Sequence, residues 1–543
     1  MNFFVYQENR FRFINDKNRL SRLAKNLFFI LFLFLWTFIL RVPTFLNSVI
    51  NWDESLYLLM ADQWLSGNLP YSTVWDHKPI GIYLIFYLAI SLFGRSVLAI
   101  RLIAILFVFG TSLALFFISS ELFRCRKTAM MSAIIYPVFT LGLGGLASNT
   151  EIFFICFNLM ALLLLLYAHK SRSNSIRFYL TFFTAGLFFG CALQIKYIVV
   201  FEVLFFLFLF FIIQEKQSTS LKVNPIRKIQ QWSVMSVTVG SGLIAPTLLV
   251  MLYFWVNDRF ESFFYANFVA NFYHLQASSF SYVVLEFMLS MLEWVAWILI
   301  ISMGFLIDGF RRHKTEWPKK VSLINSRQIF SFLKKLNRVQ IFLFLWLLVT
   351  LLEAWVTRKF YGYYYLVTIP PLCLLLAQQF IKRETKPFSD RKLITSTVKF
   401  MIIPIIFVLI FDYSVWLYRR VKNNGTEKVI EVSEYISENI SSSDYIYTVN
   451  DEPILYFLTN ARLPTRYPFP PHLLSPHFNQ VSNVDYEFEV NRILNLHPKF
   501  VLIWDDDDHA QRIEEIRQKV DKEYTIDRVY EEVTIYKIAS HAE

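Results

Sequence analysis

The sequence predicts a mainly α, polytopic membrane helical bundle of about eleven transmembrane helices, followed by a small C-terminal α/β soluble domain. Three observations predict it. Of 543 residues, 55% are apolar, 18% aromatic and only 17% charged, against roughly a quarter charged in soluble domains. Apolar runs of about twenty residues, the length a helix needs to cross the hydrocarbon core, recur from Leu27 to about Ser414. After Val415 the texture changes to charge, proline and short alternating runs. The membrane region is therefore expected over residues 1–415 and the tail domain over 416–543.

Taken in order, Met1 to Lys25 is a basic segment ahead of an apolar span, with no small-residue cleavage site after it, and reads as a retained anchor. Spans are expected to begin near residues 27, 98, 129, 152, 178, 197, 233, 284, 339, 365 and 397. Ile80 to Phe93, bracketed by Pro79 and Gly94, is apolar but short, which suits an interfacial or re-entrant helix better than a span. Basic residues decide the point. If this run does not cross, the bases of Arg10–Lys25, Arg124–Lys127, Lys170–Arg177, Lys216–Lys228, Arg311–Arg338 and Lys382–Lys392 all share the cytoplasmic side. Lys78, Arg95, Lys196, Arg259, Arg358 and Lys359 then fall outside. Counting it as a span reverses every later loop, against the positive-inside bias. The expectation is a multi-pass protein of a bacterial plasma (inner) membrane, N-terminus cytoplasmic and C-terminal domain extracytoplasmic.

The net charge of +11 lies in short loops between apolar runs and not on one basic face, which excludes a nucleic-acid footprint. Cys125, Cys156, Cys191 and Cys373 fall in or beside spans, the tail has none, and neither a disulfide framework nor a CxxC metal knuckle is expected. Gly142-Leu143-Gly144-Gly145 follows no strand and reads as close helix packing or a helix break, not a nucleotide loop.

Chemistry concentrates in the exposed turns. Asn51-Trp52-Asp53-Glu54 opens a helix whose Leu56, Leu59, Met60 and Trp64 share one apolar side, ending at Gly67. Trp75-Asp76-His77-Lys78-Pro79 then leads into the re-entrant run, so carboxylates and a lysine meet at the membrane surface. The next exposed turn, Ser148 to Glu151, places Glu151 at the start of a span, where a carboxylate needs a partner or a cavity. The plain alternative for Asp53 and Glu54 is a pair of acids favoured by the helix dipole, and for Asp76 and Lys78 a solvated turn. Glu202, Glu286, Glu293 and Glu353 all fall in the outer half of their spans, which suggests a cavity open to that side.

Asp53-Glu54, Tyr57, Gly67 to Tyr71, Asp76-x-Lys78-Pro79, Gly94 and Ala99-x-Arg101-Leu102 together resemble the first external loop of GT-C glycosyltransferases. The nearest resemblance is to protein O-mannosyltransferases, the lipid A aminoarabinose transferase and bacterial Rgt-like transferases. It is specific over about residues 25–170, looser to residue 380 and general in the tail. It implies a GT-C-like bundle and a polyprenyl-phosphate sugar as donor substrate. Carried over, Asp53 is the general base on the acceptor hydroxyl or positions it, and Glu54 supports it. Lys78 meets the donor phosphate beside Asp76. Glu151 orients the acceptor or, with Asp53, holds a divalent metal. Arg358 and Lys359 are phosphate contacts, and Tyr363 stands where relatives often carry a histidine; an interfacial aromatic belt is the plain alternative there.

In the tail, helices are expected over Lys428–Ile440 and Ala510–Val520, and strands over Asp444–Val449, Lys499–Trp504 and Glu532–Ile538. Asp505 to Asp508 with His509 reads as a solvated acid run, and Arg462, Arg466 and Tyr467 as residues facing the membrane site. The leading expectation is an inverting transferase working on an envelope glycan, lipid or protein acceptor. The alternatives are a transporter or flippase for lipid-linked glycans, which would need midplane polar gates and repeat symmetry, and a scaffold presenting the tail.

Overall fold

A computed structural model describes residues 16–46, 48–170, 175–220, 225–276, 288, 338–378, 413, 428–451, 453–505, 509–530 and 533–539. Ahead of the tail the helices are α1 (Asp16–Arg41), α2 (Trp52–Leu65), α3 (Ile80–Phe93), α4 (Val97–Phe123), α5 (Arg126–Phe139), α6 (Thr150–Lys170), α7 (Ile176–Leu193), α8 (Val200–Ser220), α9 (Pro225–Val256), α10 (Phe260–Phe264), α11 (Ala270–Gln276), α12 (Arg338–Val356) and α13 (Ile369–Gln378). Six stretches among the described residues are long and apolar enough to cross a membrane: Ala24–Leu46, Val97–Phe123, Thr150–Ala168, Ile176–Leu193, Trp232–Val256 and Arg338–Val356. The spans expected near residues 284 and 397 lie outside the described residues. This is a polytopic membrane protein of the expected class.

Helix α3 rises only about 21 Å, short of the roughly 30 Å hydrocarbon core, in keeping with a run that does not cross. Its start is pinned by close approach: the Gly81 N–H donates to the Gln194 carbonyl at 2.6 Å, and a Cβ on Gly81 would stand 2.4 Å from that oxygen. Helices α7 and α9 cross just as closely at Gly186 and Gly242, where a Cβ on either would stand 2.2 Å from the other helix's carbonyl oxygen. Without a hydrophobic drive between helices in lipid, such small residues let backbones meet. The expected spans near 178 and 197 are separate helices, turned by Lys196 and the 3-10 segment Tyr197–Val199. Helix α5, with Pro137 near its end, stops at Phe139, so the Gly142–Gly145 run is a helix break. A Cβ on Gly145 would meet the Thr140 carbonyl at 2.5 Å and Leu366 at 2.9 Å.

The tail contains α14 (Lys428–Asn439), α15 (Ile454–Thr459), α16 (Pro470–Leu474), α17 (Pro476–Ser482), α18 (Tyr486–Leu494) and α19 (Ala510–Val520). Its sheet has β1 (Ile446–Thr448), β2 (Phe500–Trp504), β3 (Tyr524–Val529) and β4 (Val533–Ile538) in the order β1-β2-β4-β3, with β1 parallel to β2 and the other pairs antiparallel. The two-residue period of a strand divides β2 between two cores. Val501 and Ile503 pack with Val490 of α18 and with Ile513, Ile516 and Val520 of α19. Phe500 and Leu502 face Val432 and Ile436 of α14 and join the core that continues into the membrane bundle. The sheet is thus filled on both faces, and α15 lies against α2. Residues Glu54 to Asp62 of α2 are buried on every side. The apolar spacing of Leu56, Leu59, Met60 and Trp64 predicts one covered face; the tail domain covers the other.

Candidate active site

Asn51 caps α2 by accepting the Asp53 N–H on its side chain at 3.0 Å, which fixes the direction in which Asp53 and Glu54 leave the helix. Consecutive helical residues diverge by about 100°, and the two acids go to different places. Glu54 turns into the protein and is 1% exposed. Both its oxygens accept from the Arg101 guanidinium of α4 at 2.5 Å, and they also receive the Ser148 N–H at 2.8 Å and the Ile50 N–H at 2.5 Å. The first and second exposed turns are thereby tied to α4 through one carboxylate.

Asp53 stays partly open, at 17% exposure. Its Oδ1 faces Lys78 Nζ at 2.9 Å, and its Oδ2 accepts from the Tyr363 hydroxyl at 3.2 Å. Lys78 is placed by its own backbone, since the Tyr71 hydroxyl donates to the Lys78 carbonyl at 2.8 Å, and its ammonium lies 4.7 Å above the Tyr57 ring. Burial alone would lower the Lys78 pKa, but Asp53 and Asp76 beside it raise it above the ordinary value. Burial, then the Asp53 charge, lift the Tyr363 phenol well above its usual range, so it serves Asp53 as a donor.

A second pair closes the other side. Glu151, in the first turn of α6, faces Lys196 Nζ at 2.5 Å and accepts from Thr150 at 2.9 Å. The Lys196 ammonium sits 3.7 Å from the Tyr364 ring centre and 5.8 Å from that of Tyr363. The order Lys78, Asp53, Tyr363, Tyr364, Lys196, Glu151 is therefore one continuous chain of contacts, and the acids of both exposed turns converge on it. Burial lowers the Lys196 pKa, against the pull of Glu151.

Asp76 is 1% exposed and belongs to a different group. It accepts from the Tyr83 hydroxyl and the His77 N–H, each at 2.7 Å. Burial would raise its pKa, but Lys78 and the His77 hydrogen bond hold it below the carboxylate range. Ligand atoms of Asp76, His77 and His472 lie within 4.8 Å of one another. The buried His472 Nδ1 has no hydrogen-bond partner among the described residues, and burial pushes the imidazole down to about 3, so it is neutral at ordinary pH. Two imidazoles and a carboxylate are the donor set of a borderline divalent ion such as zinc. Asp53 and Glu151 each already hold an ammonium, so a divalent ion between them would compete with Lys78 and Lys196.

The tail completes the enclosure. The Trp75 N–H donates to the Arg466 carbonyl at 2.7 Å, and the Trp75 ring meets His472 at 4.8 Å and Tyr467 at 6.0 Å. Arg95 clamps the two regions, bonding both Asp62 oxygens and the Phe457 carbonyl at 2.7 to 2.9 Å. Of the expected phosphate contacts, Lys359 lies 5.5 Å from the Phe478 ring and Arg358 occupies a left-handed turn (φ 56°) after α12, and neither touches Asp53. Arg462 stacks within the tail on Tyr445. Glu202 accepts from Asn158 at 2.7 Å and Trp346 at 2.6 Å, while both oxygens of the buried Glu353 have no hydrogen-bond partner among the described residues. Glu286 and Glu293 lie outside the described residues. Local sequence marks Lys196 only as an external base, a single lysine between two adjoining apolar runs, and gives no signal for His472.

The family model described as dolichyl-phosphate-mannose-protein mannosyltransferase matches residues 77–237. No curated protein matches the sequence. Among solved structures, ArnT from Cupriavidus metallidurans bound to undecaprenyl phosphate superposes with a TM-score of 0.59 at 11% identity, covering 95% of this chain and 98% of that chain. Its apo state gives 0.56 at 10% identity over the same shares. The oligosaccharyltransferase AglB from Archaeoglobus fulgidus superposes less closely, at 0.46 and 13% identity over 88% of this chain and 69% of that chain. The chain has the GT-C-like membrane fold with a C-terminal sheet domain, the architecture that its first exposed turn resembles.

Proposed function

We propose that this protein is a membrane glycosyltransferase that moves a sugar from a polyprenyl-phosphate carrier to an acceptor hydroxyl on the extracytoplasmic side of a bacterial plasma membrane. The observation that carries the reading is Asp53, partly open and held between Lys78 and the Tyr363 hydroxyl at the end of the bundle beneath the tail. In the reaction, the acceptor oxygen attacks the anomeric carbon, the bond from that carbon to the phosphate oxygen breaks, and the acceptor proton passes to Asp53. The electron pair leaves with the polyprenyl phosphate, whose growing charge Lys78 stabilises. A direct displacement inverts the anomeric centre. Glu151, positioned by Lys196, orients the acceptor, and a divalent ion, where one binds, would be held by Asp76, His77 and His472 and would add positive charge to the site.

ArnT bound to undecaprenyl phosphate supports the choice of donor class, and the convergence of two exposed acidic turns supports chemistry in place of passage. Reconstituted protein supplied with labelled polyprenyl-phosphate sugars and an extract of envelope acceptors is expected to release free polyprenyl phosphate in step with labelled acceptor. Movement of intact donor across the bilayer without release would instead support the flippase reading and remove this one.

A further inference from the structure

At the end of the bundle away from Asp53, α1 and α5 leave a groove of about 800 Å³ between them. Phe28, Phe32, Met130 and Ile134 form its walls, and Lys25 and Arg126 stand at its rim. The location follows from the helices. Arg41, at the other end of α1, is bonded to Thr140 and the Gly145 carbonyl below the site, and Lys25 is about 24 Å away along the axis. Arg126 opens α5, at the end of α4 opposite Arg101. Neither Lys25 nor Arg126 has an ion-pair partner among the described residues, whereas Glu54, Asp53, Glu151 and Asp62 at the site end are each met by a cation.

An apolar trough of small-molecule size under two cations that have no ion-pair partner among the described residues is complementary to an acyl chain beneath a net-negative headgroup. A zwitterionic headgroup carries its own ammonium beside the phosphate and meets the same rim with less attraction. We propose that this groove binds one anionic glycerophospholipid, its acyl chain between Phe28, Phe32, Met130 and Ile134 and its phosphate between Lys25 and Arg126. The groove is separate from the Asp53 site and does not depend on the transferase reading.

Native mass spectrometry of the delipidated full chain, with phosphatidylglycerol or phosphatidylcholine added at matched concentration, tests it. The expected result is one retained phosphatidylglycerol with roughly tenfold preference over phosphatidylcholine. The Lys25→Gln/Arg126→Gln pair should erase the preference, Met130→Trp should reduce retention by filling the trough, and Arg177→Gln, at the same end of the bundle outside the groove, should change nothing. Equal retention of both lipids by the unaltered chain overturns the proposal, as does a preference that survives the double substitution or retention untouched by Met130→Trp.

Discussion

Asp53 and the Glu54–Arg101 knot are neighbours in sequence and opposites in physics. Asp53 has one ammonium and one phenol, and part of it is open. Glu54 has four donors and is 1% exposed. A carboxylate with all its lone pairs occupied can hold structure but has nothing left to offer a substrate, whereas one with spare capacity and an opening can accept a proton. The difference separates chemistry from scaffold at adjacent positions, and it can be broken by showing that the two residues fail in the same way.

Asp53→Asn gives the largest expected effect. It keeps shape and removes basicity, so transfer should fall by about 10² to 10⁴-fold, the usual worth of a general base. The protein should still purify as a monodisperse species with near-normal thermal unfolding. Loss of folding together with activity would put Asp53 in the same class as Glu54.

Glu54→Gln should show the converse. Leaving the Arg101 guanidinium buried without its charge costs about 3–5 kcal/mol, read as a large drop in unfolding temperature and in yield. Because burying two charges is itself expensive, Glu54→Gln/Arg101→Met should recover part of the stability lost by either single change. Additive losses would contradict the pairing.

Between these extremes lies Lys78. Lys78→Met removes the point charge expected to meet the leaving phosphate, and transfer should fall by roughly 10² to 10³-fold. Lys78→Arg should restore only part, since a planar fork does not replace a compact ammonium. Equal rates for Lys78→Met and the unaltered chain in a single-turnover assay would take the donor phosphate away from this residue.

What the sequence made legible follows the same division between local and distant causes. The short run Ile80–Phe93, the Glu151 helix start, the tail helix Ala510–Val520 and the strand Phe500–Trp504 are set by apolar length and period, and they stand where those signals put them. The strand Tyr524–Val529 carries a weak signal, because its alternation ends after Ile526 at Asp527-Arg528 and its side chains beyond Tyr524 are exposed. The short helices at Ile454, Pro470, Pro476 and Tyr486 owe their places to packing against α2, Trp75 and β2, contacts no local window contains. In the site, Asp53, Asp76 and Lys78 share the segment from the start of α2 to the start of α3, so chain proximity alone suggests that they meet. Lys196 and His472 arrive from 143 and 419 positions away, differences taken from their numbers in the chain, and only the tertiary fold brings them in.

The smallest effect tests the geometry most finely. Tyr363 contributes one hydroxyl to Asp53 Oδ2 at 3.2 Å, while its ring also packs against Tyr361 and Tyr364 at 5.6 and 4.8 Å between centroids. Tyr363→Phe keeps the ring contacts and removes the donor. A hydrogen bond to a charged acceptor is worth about 1.5–3 kcal/mol at most, and the length of this one places it at the weak end. Transfer should therefore fall about tenfold or less, with unfolding temperature nearly unchanged. A rate equal to that of the unaltered chain would leave the phenol without a role at Asp53.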